Sequence, residues 1–209
     1  MKVYAEYFTI ADCNAYRRKT LLQFGESIDL IGSAVLINPG SAEPIGNADH
    51  DLIQAFYSKN HNMEIDYSSI WKKFNPDPTM AQLTKLFNGW YAGKPKSLNG
   101  VLQLFNCFYL KEQDLDKALL SFKSGMDFTF SEGQLFGEKP VYFGWGNTGK
   151  YGKIKDIPLN IFKSYDIRNT PIYHSSFEEN CFYHPGYLNR SYKRNPNSIE
   201  IIQKFSSLF

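Results

Sequence analysis

Ser33-Ala34-Val35-Leu36-Ile37-Asn38-Pro39-Gly40-Ser41 joins an unbroken apolar run to a turn-forming tail. So short a run bounded by turn residues predicts a buried strand ending at Asn38 and Gly40. In a parallel α/β sheet, loops at the carboxyl ends of the strands converge on one crevice. Far along the chain, His184-Pro185-Gly186-Tyr187-Leu188-Asn189 follows a second strand-like run, residues 170–174, after a short loop. Two segments distant in sequence can therefore share one site.

Outward from these landmarks, apolar runs at 33–37, 100–110, 140–145 and 170–174 alternate with helical patterns at 51–59, 79–91, 114–125, 159–165 and 198–206. The alternation predicts one α/β domain over residues 1–209. Its expected form is a three-layer α/β/α arrangement around a central, mostly parallel sheet of about four strands. The first thirty residues read as irregular or β-rich, with Tyr4, Tyr7, Phe8 and a basic cluster Arg17-Arg18-Lys19. Residues 40–51 and 57–79 read as long connections. The second carries Trp71 and Phe74, then Asp77-Pro78-Thr79, a helix start.

At 209 residues and 43% apolar content the chain reads as a folded domain with a sizeable core. It has neither a run long enough to span a membrane nor the apolar core of a signal peptide, so a cytoplasmic location is expected. Cys13, Cys107 and Cys181 lack paired spacing, which argues against disulfides and structural zinc. His50, His61, His174 and His184 lack ligand spacing with carboxylates, and neither metal nor cofactor is expected. The net charge of +2 is unevenly spread: residues 1–149 carry 14 basic and 16 acidic side chains, residues 150–209 carry 9 and 5. The basic C-terminal part suits contact with phosphates and equally suits a solvated surface.

Asn-Pro-Gly after an apolar strand, followed at a distance by His-Pro-Gly-Tyr-Leu-Asn, resembles the uracil-DNA glycosylase superfamily. The likeness is closest to its mismatch-specific and thymine-DNA glycosylase branch, here as Leu36-Ile37-Asn38-Pro39-Gly40 without the leading glycine. The order Asn-Pro-Gly-Ser-Ala, Asp-Pro-Thr, Trp-Gly, His-Pro also resembles an uncharacterised bacterial family related to it. The resemblance implies a four-stranded parallel α/β/α domain that breaks the N-glycosidic bond of a base extruded from DNA.

Such chemistry needs a water held under the sugar carbon, donors on the departing base and a grip on flanking phosphates. The resemblance gives Asn38 the water and His184 the base carbonyl, the two catalytic roles. Pro39, Gly40 and Ser41 shape the turn against the substrate; on local sequence alone they also form a common strand-ending turn. For base reading Asn106 and Gln103 compete, since they point to opposite faces of one strand. Trp145 and Gly146 close the third strand and border the pocket or form a glycine turn. Phe56, Trp71 and Phe74 are the candidates to stack on the base. Pro185, Gly186, Tyr187, Leu188 and Asn189 match the loop that wedges into the duplex, with Tyr187 and Leu188 at its tip. Arg190, Lys193 and Arg194 supply a basic strip for the backbone.

The superfamily's uracil-specific branch uses an acidic residue in the first motif, absent here; Glu43 is the nearest acid that could replace it. The expectation is a monomeric, monofunctional DNA glycosylase acting on a modified pyrimidine, with DNA as partner and no membrane. Hypermodified phage cytosine, excised in anti-phage defence, extends that expectation. The alternatives are an inactive nucleic-acid-binding module of the same fold and a hydrolase of free nucleosides or nucleotides.

Overall fold

The computed structural model describes residues 1–10, 14–66, 70–122, 128–165, 177, 182–188 and 196–209, with the backbone alone at 150, 151, 187 and 197. The described residues include seven strands: β1 (Lys2–Thr9), β2 (Ala15–Phe24), β3 (Leu30–Leu36), β4 (Pro44–Asn47), β5 (Trp71–Phe74), β6 (Gly100–Asn106) and β7 (Val141–Phe143). They form one open sheet in the order β4-β5-β1-β2-β6-β3-β7. β3 lies between β6 and β7 and is parallel to both, while β1–β2, β1–β5, β2–β6 and β4–β5 pair antiparallel.

The expectation of a mostly parallel sheet of about four strands is thus corrected. The first thirty residues, read as irregular or β-rich, take the second form in the β1–β2 hairpin, and β2 extends the sheet beyond β6. The two long connections contain β4 and β5, which pair with each other and carry the sheet past β1. The run at 170–174 lies outside the described residues.

Six helices accompany the described sheet: α1 (His50–His61), α2 (Pro78–Phe87), α3 (Leu115–Ser121), α4 (Gly146–Tyr151), α5 (Asp156–Ser164) and α6 (Pro196–Ser206). Aspartates start the first three. Asp49 accepts from the Leu52 amide (3.0 Å), Asp77 from that of Met80 (2.8 Å), and Asp114 from those of Asp116 and Lys117. Each bond satisfies an amide that the first helical turn leaves without a partner.

Alternate strand residues feed two cores, one on each face. On β6, Val101 and Phe105 pack with Ile53 and Phe56 of α1, Ala118 of α3 and Ile161 of α5. Leu102 and Leu104 pack with Met80 and Leu83 of α2 and Ile202 and Phe205 of α6. Phe56, Trp71 and Phe74 are at most 1% exposed and belong to these cores, so none stands ready to stack on a base, contrary to expectation. Cys107 is also sealed in, and burial pushes its thiol up, away from reactivity. Among the described residues, no helix is long and apolar enough to cross a membrane.

This topology fixes where a ligand can enter. With β6 on one side of β3 and β7 on the other, chain connections diverge at the carboxyl ends of the parallel strands and leave a crevice there.

Candidate active site

The crevice is a cleft of about 530 Å³, within the usual range for small-molecule sites. Leu36, Ile37 and Asn38 reach it from the end of β3, Leu104 and Asn106 from β6, and Trp145 and Gly146 from the end of β7. His184 closes it from the far segment, and Asp77, Pro78 and Thr79 from the start of α2. Asn38 and His184 therefore line one cavity.

Asn38 is held in a defined orientation. Its Nδ2 donates to the carbonyls of Pro39 (3.0 Å) and Glu112 (2.8 Å). The parallel ladder continues beneath it, with the Cys107 amide donating to Leu36 O (2.8 Å) and the Phe108 amide to Ile37 O (3.2 Å). With both amide hydrogens committed, the side chain presents its acceptor, Oδ1, as the group left for a ligand or water. Beyond it, a Cβ on Gly40 would meet nothing within 4 Å, so bare backbone borders open space. Ser41 is an exposed part of the rim, whereas Pro39 is buried and contributes its carbonyl rather than a wall.

The choice between Asn106 and Gln103 is resolved by the pleat. Asn106 ends β6 opposite Leu36 and shares the cleft face with Leu104. Gln103 points to the other face, fully buried, and donates to Ser33 Oγ (3.2 Å) and Leu135 O (2.7 Å). It ties β6 to its neighbours and does not reach the cleft.

At the end of β7, Trp145 is 1% exposed and packs on Phe143 and Phe182, each at 4.8 Å between ring centroids. Gly146 follows at φ +67°, a backbone state that favours glycine, and its amide donates to Phe182 O (2.5 Å). Tyr142 Oη donates to Tyr183 O (2.6 Å). These two bonds dock the 182–184 segment onto the sheet and deliver His184 to the cleft.

His184 Nδ1 accepts from the Gly186 amide (3.1 Å) at the start of a 3₁₀ turn, Pro185–Tyr187. That bond places the neutral ring's proton on Nε2 and makes that atom the donor. Desolvation by burial holds the imidazole down to about 4, against an opposing pull from Asp77. A reaction that uses neutral His184 is expected to keep its rate from pH 8 to about 5 and to fall only near 4. The check is a pH–rate profile alongside NMR titration of the ring; an acid limb near the ordinary histidine value of about 6.5 would exclude this donor. The folded state protonates less readily than the unfolded chain. This group's contribution to stability is therefore complete above about 6.5 and is lost as pH falls through about 4.

Other expected residues fare differently. Leu188 is 1% exposed, packed with the α2 and α6 core, and so is not a wedge. Pro185 is buried and Gly186 exposed in the turn, which carries the Tyr187 backbone. Asn189, Arg190, Lys193 and Arg194 lie outside the described residues, as do Cys13 and Cys181. Glu43 pairs with Lys111 and does not line the cleft.

Asp77 and Arg17 are among the cleft residues that the sequence reading passed over. Asp77 was recognisable only as a helix cap, which it is. Arg17 stood in a basic cluster to which no role was given, yet it is 2% exposed and lines the cleft. No family model, curated protein or solved structure matches the chain.

Proposed function

We propose that this chain hydrolyses the N-glycosidic bond of a nucleotide as a monofunctional DNA glycosylase of the uracil-DNA glycosylase type. The reading treats the three parallel strands and the helices on both faces as the core of a three-layer α/β/α domain, extended by the antiparallel strands. The observation that carries it is the meeting of Asn38 and His184 in one cleft at the carboxyl ends of the parallel strands.

In this mechanism Asn38 Oδ1 orients a water toward C1′ of the sugar. The bond from C1′ to the base nitrogen breaks, its electron pair leaves with the base, and the water oxygen bonds to C1′ and loses a proton to solvent, while the departing base anion takes one up. His184 Nε2–H donates to the base carbonyl as negative charge develops there, a preorganised donor in a desolvated site. Asn106 reads the base edge and Trp145 walls the pocket.

The burial of Leu188 favours a substrate whose base is already unstacked. Single-stranded DNA needs no wedge, and neither does a free nucleotide. A modified pyrimidine, including phage-type modified cytosine, remains the proposed class of base.

The test is incubation of the purified protein with single-stranded and duplex DNAs carrying uracil, thymine mismatches or modified cytosines, scored for abasic sites. Abasic sites on one substrate, more readily in single strands, are expected. Their absence from every DNA, with base release from free nucleotides instead, would move the activity to nucleotide hydrolysis.

A further inference from the structure

Buried polar atoms in folded proteins normally find partners. Along this cleft, those left without one are all donors: Arg17 Nε and Nη1 and Trp145 Nε1. Neither side chain has any capacity to accept a hydrogen bond. The missing counterpart is therefore rich in acceptors.

Arg17 is the more demanding of the two. It enters from β2, opposite Tyr7 of β1, on the face that packs against α2, and its Cζ stands 5.5 Å from the centre of the Phe74 ring. An aromatic face covers the cation but satisfies none of its N–H groups. Among the described residues the ion pairs are Arg18 and Lys19 with Glu6, Lys59 with Asp29, and Lys111 with Glu43; Arg17 belongs to none.

The carboxylates in and near the cleft are otherwise engaged. Asp77 caps α2, Glu43 holds Lys111, and Glu112 accepts from the Asp114 amide (2.9 Å). Burial lowers the guanidinium pKa while Asp77, Glu43 and Tyr7 oppose the shift. Arginine remains charged through such shifts. A buried, charged fork without a carboxylate partner matches the paired oxygens of a phosphate.

Position supports the same ligand. β2 is three strands from β7 in the sheet, about 14 Å at ordinary strand spacing. Arg17 and Trp145 therefore stand toward opposite ends of the cleft, with Asn38 and Asn106 between their strands. A nucleotide with its base toward β7 would bring a phosphate toward β2.

We propose that Arg17 binds a phosphate of the nucleotide held in this cleft and so makes a phosphorylated ligand, rather than a bare nucleoside, the substrate class. This rests on the nucleotide reading of the site. The phosphate has two chemical sources: the terminal group of a free nucleotide, or a phosphodiester flanking an unstacked nucleotide in DNA.

The experiment measures binding by tryptophan fluorescence to a pyrimidine deoxynucleoside, its 5′-monophosphate, and a short single-stranded oligonucleotide containing a stable abasic analogue. Wild type is compared with Arg17→Gln, Arg17→Met and Arg17→Lys, each checked by circular dichroism. Wild type should prefer a phosphate-bearing ligand over the nucleoside by about tenfold or more. Arg17→Gln and Arg17→Met should abolish that preference, and Arg17→Lys should keep part of it.

Loss of preference for the monophosphate identifies a terminal phosphate; loss confined to the oligonucleotide identifies a phosphodiester. Absence of any phosphate preference in wild type overturns the proposal whether or not the variants fold. So does a preference that survives in folded Arg17→Gln. The glycosylase reading fails separately, through absence of abasic sites in the wild-type assay with phosphate preference intact.

Discussion

Asn38→Ala is expected to reduce base release by about 10²–10³-fold with the fold and ligand affinity retained. The large effect follows from the way the side chain is held. Two backbone carbonyls, from Pro39 and Glu112, fix its amide nitrogen and thereby aim its oxygen. Truncation removes the only atom assigned to the nucleophilic water and frees two carbonyls near solvent. The resulting loss of stability is about 1 kcal/mol, far short of unfolding the domain. Asn38→Asp should not restore the rate, because it replaces a donor facing two carbonyls with an acceptor. Single-turnover kinetics of both variants, with circular dichroism as the folding check, decide the matter. Near-normal turnover by Asn38→Ala would remove this residue from the mechanism.

Trp145→Ala should lower the stability of the domain by about 3–5 kcal/mol, read as the urea midpoint and slope. Trp145 is buried among Phe143, Phe177 and Phe182, and Phe182 supplies the carbonyl that receives the Gly146 amide. A void at this point loosens the docking of the segment that carries His184. Trp145→Phe should keep most of the stability, because it retains aromatic packing and removes an indole N–H that has no partner. Ligand affinity should nevertheless fall in Trp145→Phe if the orphaned N–H serves the ligand. Equal destabilisation by both substitutions would show that the indole nitrogen matters to the fold itself.

The parts of the fold that local sequence controls were legible. The apolar run into Asn38 is β3, Asp77-Pro78-Thr79 does open α2, and 100–110 contains β6. The sheet's direction was not legible, because strand pairing is set by contacts between distant segments. β4 and β5 were hidden for a different reason. Each has four residues, including Pro44 and Gly46 in one and Lys72 and Lys73 in the other. Such residues read as loop, and those of β4 suit the sheet edge that it occupies.

The site shows the same division. Period-two alternation separates Asn106 from Gln103, but only the three-dimensional arrangement tells which face opens to the cleft. It likewise separates Arg17 from Arg18. Arg18 joins Lys19 on Glu6, while Arg17 turns to the opposite face and is buried. A run of three basic residues conceals that difference, since nothing local marks one of them as internal. Leu188 was misread because a leucine in a loop is equally suited to a projecting wedge and to a core anchor.

The β1–β2 hairpin also imposes an order on how the chain can fold. It sits in the middle of the sheet, yet β2 cannot find its second partner until β6, which begins at Gly100, has been synthesised. Until then the nascent polypeptide carries a ribbon with an unsatisfied edge, open to association with other chains. Completion of the sheet is a late, long-range closure of the slow kind. This domain is therefore expected to depend on chaperone shielding during translation, and its yield should be most sensitive to substitutions along the β2–β6 seam.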